Sequence, residues 1–131
     1  MKATVITILT ALVAFLSSCS PYPSNNDGTL DAEGFDRMIR ENNEKIILDV
    51  RTQGEFEEGY IPGAMLIDVN ESDFKEKVNS LDKSKTVFVY CATGIRSEKA
   101  ASILKDSGFK KIYHLEDGLK SWNKAQKELT K

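Results

Sequence analysis

A chain of 131 residues, 40% hydrophobic and 29% charged, has room for one domain with a single core of about a hundred residues. Its net charge of −2, with acids and bases interspersed, offers no basic field for nucleic acid. Two cysteines and one histidine exclude a disulfide framework, exclude structural zinc built from four cysteines or paired cysteines and histidines, and leave a Ser-His-Asp triad only one late base.

At the start, Lys2 gives a thin positive end, Val5 to Leu16 is an apolar run broken only by threonines, and Ser17 and Ser18 are small. This predicts a secretory signal peptide over residues 1–18, too short to span a bilayer comfortably. Leu16-Ser17-Ser18-Cys19 resembles the lipobox of bacterial lipoproteins. That resemblance implies that Cys19 becomes the acylated first residue and that the protein is exported to the periplasmic side of a membrane on a lipid anchor. An ordinary cleaved leader with an incidental cysteine is the alternative. Ser20 to Gly28 is rich in proline, serine and asparagine and has almost nothing to bury, so residues 19–28 read as the lipidated cysteine and a flexible tether. The folded domain is expected over 29–131.

In that domain Phe35, Met38 and Ile39 share one helical face. Ile46 to Val50 is a β-prone run, as are Ala64 to Ile67, Val87 to Tyr90 and Ile112 to Leu115. Runs without polar alternation suit strands covered on both faces of a parallel sheet. Between them Phe74, Val78 and Leu81 have helical spacing, as do Ala100, Ile103 and Leu104, with Gly108 placed to stop the helix and Phe109 packing after it. Leu119, Trp122 and Leu129 mark a last helix. Strand and helix alternate, which predicts an α/β layer structure with a mostly parallel sheet. Glu57-Glu58 and Glu116-Asp117 read as solvated surface, and His114 as a half-exposed strand histidine.

Cys91 ends one of the buried runs and is followed by Ala92, Thr93, Gly94, Ile95, Arg96 and Ser97 before a helix. Ligands of open α/β sheets bind beyond the carboxyl ends of the strands. Gly94 can take positive φ, which lets successive N–H groups curl inward as an anion-binding nest. The next helix aims its N-terminus at the loop, and Arg96 adds a permanent charge. All three should lower the pKa of Cys91 and hold an anionic substrate against its sulfur. A buried structural cysteine is the plain alternative.

The run Cys91 to Ser97 resembles the active-site loop of rhodanese-type single-domain sulfurtransferases. Leu48-Asp49-Val50-Arg51 resembles that family's first-strand motif, Glu55 to Ala64 its next segment, and Gly118 to Trp122 its closing motif. The resemblance implies a five-stranded, mostly parallel sheet flanked by helices on both faces, and a persulfide on catalytic Cys91. It implies substrate binding by residues 92–97, with Asp49 and Arg51 supporting the site, and no metal or organic cofactor; the plainer reading of Asp49 and Arg51, an ion pair that fixes the fold, is preferred for both. Tyr60 stands where many members carry histidine and Asp117 where many carry glycine, which leaves the turn before the last helix in question.

The function expected is transfer of a sulfane sulfur from a small anionic donor such as thiosulfate, through Cys91, to cyanide or a thiol. Two other readings stay open. A persulfide carrier would discharge only to a protein partner. Cysteine phosphatases and arsenate reductases place five residues between cysteine and arginine, whereas only Ala92 to Ile95 separate Cys91 from Arg96. A shorter ring of amides suits a smaller reacting centre. Oligomeric state is not legible at this level.

Overall fold

Val87, Val89 and Cys91 point to one side of the central strand while Phe88 and Tyr90 point to the other, and this alternation divides the core in two. The computed structural model describes residues 27–131. The leader, Cys19 and the tether up to Asn26 lie outside the described residues. In chain order the elements are β1 (Asp27–Leu30), α1 (Ala32–Glu41), β2 (Lys45–Asp49), α2 (Gln53–Glu58), β3 (Met65–Leu66), α3 (Phe74–Asn79), β4 (Thr86–Tyr90), α4 (Ile95–Asp106), β5 (Ile112–Leu115) and α5 (Gly118–Lys124). The five strands form one sheet in the order β1-β5-β4-β2-β3, and every pairing is parallel.

Helices cover both faces. On one, Phe74 and Val78 of α3 and Ala100 and Leu104 of α4 pack on Leu48, Val87, Val89 and Ile112. On the other, Phe35 and Ile39 of α1 and Leu119 and Trp122 of α5 pack on Ile47, Phe88, Tyr113 and Leu115. Phe35 meets Phe88 and Trp122 edge to face, with centroids 5.5 and 6.3 Å apart, the arrangement aromatic quadrupoles favour. All five residues of β4 are buried, which explains the unbroken apolar run in its sequence.

Capping places the helices. The Asp31 carboxylate accepts from Gly34 N at 2.8 Å to start α1. Thr52 and Glu55 form a reciprocal capping box at the start of α2. Gly108, at φ 100°, ends the turn after α4 as its position predicted, and Phe109 N bonds back to Leu104 O at 3.1 Å.

Three elements differ from the sequence reading. β1 starts at Asp27, two residues inside the stretch read as tether, because Asp27 and Gly28 pair with Ile112 and Tyr113. α2 has no buried residue, so it has no hydrophobic period to betray it. Leu129 is not on the last helix. α5 stops at Lys124, Gln126 turns the chain at φ 55°, and Thr130 exchanges backbone hydrogen bonds of 2.9 Å with Tyr60. Leu129 thereby reaches the α1/α5 half of the core from a separate returning segment.

Candidate active site

Parallel strands end together at their carboxyl ends, and β4 delivers Cys91 to the middle of that edge. Cys91 is fully buried, and the chain beyond it curls around its sulfur. Gly94 N donates to Sγ at 3.1 Å and Ser97 N at 3.4 Å, and Ser97 Oγ lies 3.6 Å away. Ser97 Oγ itself donates to Gly94 O at 3.0 Å, which fixes the hydroxyl inside the loop. Gly94 makes the curl possible at φ 98° as the N-cap of α4, and a Cβ there would also stand 3.3 Å from Asp117 N.

Burial alone pushes the thiol's pKa up. Hydrogen bonding with the Ser97 side chain and from the N–H groups of Ser97, Thr93 and Gly94 opposes it and brings the pKa below its ordinary value. Hydrogen bonds to a charged group contribute about 1.5–3 kcal/mol each, so several convergent donors outweigh the cost of partial desolvation.

The loop is held from outside by the start of α5. Leu119 N bonds to Cys91 O at 2.9 Å and Lys120 N to Ala92 O at 3.1 Å. Gly118, at φ 54°, lies flat against this backbone. A Cβ on it would fall 2.7 Å from Ala92 C and 2.8 Å from Ala92 O, and would collide with Cys91 O. Asp117 precedes it in the left-handed region at φ 55°, a conformation aspartate tolerates better than most residues. The turn therefore survives the replacement of glycine at that position.

Of the residues expected in the loop, Ser97 and Gly94 are buried with Cys91, Ala92 and Arg96 are half-buried, and Thr93 and Ile95 are exposed. Ile95 is 77% exposed, so it faces away from the sulfur's packed surroundings. Arg96 stands in the expected turn, but its fork is taken. Nη1 and Nη2 donate to Oε2 and Oε1 of Glu55, both at 2.8 Å. Arg96 remains within electrostatic reach of Cys91. The guanidinium holds the Glu55 carboxyl down to about 2. Sequence reasoning missed Glu55 because its partner is 41 residues away. The only local signal was its place in the capping box.

Asp49 and Arg51 brace the layer behind the loop. Both are buried. Arg51 Nε donates to both Asp49 oxygens at 3.0 Å, and Nη2 bridges Asp49 Oδ2 and Gly59 O at 2.7 Å each. The guanidinium also sits 5.9 Å over the Tyr90 ring, whose hydroxyl accepts from Ile61 N at 3.0 Å. The pair thus ties β2 to the segment after α2 and to the residue preceding Cys91. Arg51→Met should cost about 3–5 kcal/mol of unfolding free energy, because it strands a buried carboxylate. Urea denaturation reads this directly, and a loss under 1 kcal/mol would show the pair to be dispensable.

The fold agrees with what the chain is similar to. The family model described as the Rhodanese-like domain matches residues 31–125. The chain belongs to the rhodanese-like domain family. The Bacillus subtilis protein YqhL, described as uncharacterised, is 33% identical over 90% of this rhodanese-like chain and 90% of its own. The putative sulfur carrier protein YrkF of the same organism is 31% identical over 82% of this chain, which spans only 59% of YrkF. Among solved structures, a rhodanese-related protein of Thermoplasma volcanium superposes with a TM-score of 0.69 at 28% identity, covering 78% of this rhodanese-like chain and 96% of that one.

Proposed function

We propose that this rhodanese-like domain is a sulfurtransferase that carries sulfur on Cys91. The observation that carries the reading is the pair of backbone N–H groups on Sγ, Gly94 N at 3.1 Å and Ser97 N at 3.4 Å, with the Ser97 hydroxyl oxygen 3.6 Å away accepting from the thiol. Such a pair keeps the sulfur nucleophilic at neutral pH.

The Cys91 thiolate attacks the outer sulfur of an anionic donor such as thiosulfate. The new S–S bond forms as the donor's own S–S bond breaks, and the electron pair leaves with sulfite. One negative charge remains on the Cys91 persulfide and two on sulfite, which balances thiolate and thiosulfate. A thiophilic acceptor, cyanide or a thiol, then takes the outer sulfur and returns the thiolate. The loop amides are already aimed at the attacking thiolate, so little reorganisation precedes the attack. No metal or organic cofactor enters these steps.

Intact-mass measurement of the purified chain after incubation with thiosulfate tests this. One added sulfur atom, removed by cyanide, is the expected result. No adduct from any sulfane donor, together with a thiol pKa at or above the free-peptide value, overturns it. The burial of Cys91 and the likeness to a putative sulfur carrier favour one variant of the reading, a carrier that loads readily but discharges only to a protein. Screening small and protein acceptors separates the two. The four-residue spacing to Arg96 supports sulfur over phosphoryl chemistry, and turnover of a chromogenic phosphate ester without sulfur loading would reverse that preference.

The proposed location is the periplasmic side of a membrane, through acylation of Cys19. Cells grown with a labelled fatty acid should incorporate label into the protein, and Cys19→Ala should lose it. An unlabelled wild-type chain would rule the anchor out.

A further inference from the structure

The arginine of the loop is not free to serve the reacting anion alone. Both terminal nitrogens of its guanidinium are engaged by the Glu55 carboxylate, at 2.8 Å each, and this pairing is only partly shielded, with the two side chains 26% and 32% exposed. Glu55 is in turn fixed by Thr52, whose backbone N–H and hydroxyl donate to Oε2 at 3.1 and 3.0 Å. A carboxylate ionised at every working pH is therefore fastened to the loop residue Arg96. Asp68 adds a second acidic influence on the same guanidinium. The positive field at the loop comes mainly from backbone N–H groups.

Resting on the sulfurtransferase reading, we infer that Glu55 sets the charge of the donor the site accepts, admitting singly charged sulfane donors over doubly charged ones. A dianion such as thiosulfate meets an arginine already neutralised and a carboxylate that repels it twice as strongly as it repels a monoanion. A monoanionic thiosulfonate presents the same outer sulfur. The thiolate attacks it, the S–S bond to the sulfonyl group breaks, and sulfinate leaves with the electron pair, so persulfide and sulfinate carry the two charges that thiolate and donor brought. Glu55 does not touch the reacting sulfur. It acts through Arg96 and through its own field, as a specificity residue.

The decisive variant is Glu55→Gln. Glutamine also serves in capping boxes, so α2 keeps its start while the charge is lost. Thr52→Ala does the opposite, removing the hydroxyl of the cap and leaving the Arg96–Glu55 fork. Second-order loading rates of the full chain are measured with thiosulfate and with methanethiosulfonate, and alkylation of Cys91 with iodoacetate and with iodoacetamide is followed on the Cys91 peptide. Removing one charge near the path should speed thiosulfate about tenfold and the monoanion about threefold. The iodoacetate to iodoacetamide ratio should likewise rise about threefold, while Thr52→Ala moves neither ratio. Alkylation involves no sulfur transfer, so it decides the inference by itself. An unchanged or lower alkylation ratio in Glu55→Gln overturns the role of Glu55. A raised ratio in a chain that no donor loads would leave that role standing and refute sulfur transfer.

Discussion

Cys91→Ser eliminates the sulfur adduct and leaves the fold standing. Serine differs by one atom, fits the buried position, and can use the donors of Gly94 and Ser97 that surround Sγ. Its hydroxyl stays protonated where the thiol ionises, so nucleophilic attack on a sulfane sulfur stops. Loss should be complete within the sensitivity of mass spectrometry, with circular dichroism and melting close to wild type. An adduct that persists in Cys91→Ser would place the sulfur elsewhere. The pH dependence of the wild type follows from the same donors. Because the donors bring the thiol below its ordinary value, the thiolate is the form favoured by folding. The midpoint of its reactivity is expected below the ordinary thiol value near 8.5, with reactivity lost as pH falls through that midpoint. A reactivity midpoint at or above the ordinary value would mean that burial wins over the donors.

Gly118→Ala is expected to be nearly as damaging to activity, with no change at the reacting residues. The Cβ would meet Cys91 O and the Ala92 carbonyl at distances no real side chain shows. These are backbone atoms and cannot swing aside. Either α5 moves off the loop, breaking the hydrogen bonds from Leu119 N and Lys120 N, or the loop shifts and its amides lose aim at Sγ. Left-handed φ at this position adds strain for any L side chain. We expect a loss of roughly 2–4 kcal/mol in stability and a fall in Cys91 loading of a hundredfold or more, read by denaturation and by single-turnover kinetics. Wild-type loading in Gly118→Ala would show that the loop holds its shape unaided.

The readable parts of this chain are those where chemistry and packing are local. β2, β4 and β5 are apolar runs because both their faces are covered, so sheet and helix alternation could be inferred. Cys91, Gly94 and Ser97 are neighbours in sequence and in space, and the loop could be read almost as a unit. β1 lacked any such signature: Asp27-Gly28-Thr29 has no apolar run, and its identity as a strand comes from β5. α2 buries nothing and was invisible to hydrophobic periodicity. Glu55 needed the tertiary fold, since only the sheet brings residue 55 to residue 96. Arg96 could be read as a charge but not as a paired one. Gly118 belonged to a recognisable motif, yet its close approach to Cys91 O is a fact of packing that no one-dimensional pattern contains.

Complete enclosure of Cys91 bears on its survival as well as its reactivity. Ionised thiols are the form that peroxides and disulfides attack, and the oxidised acids beyond the first step are not recovered. A sulfur with no surface in the resting structure is screened from bulky disulfides. On the proposed function, loading would extend the side chain by one S–S bond, about 2 Å, and give the transferable atom reach that the resting thiol lacks. On that reading the resting thiol would be the protected form and the persulfide the form that meets its acceptor.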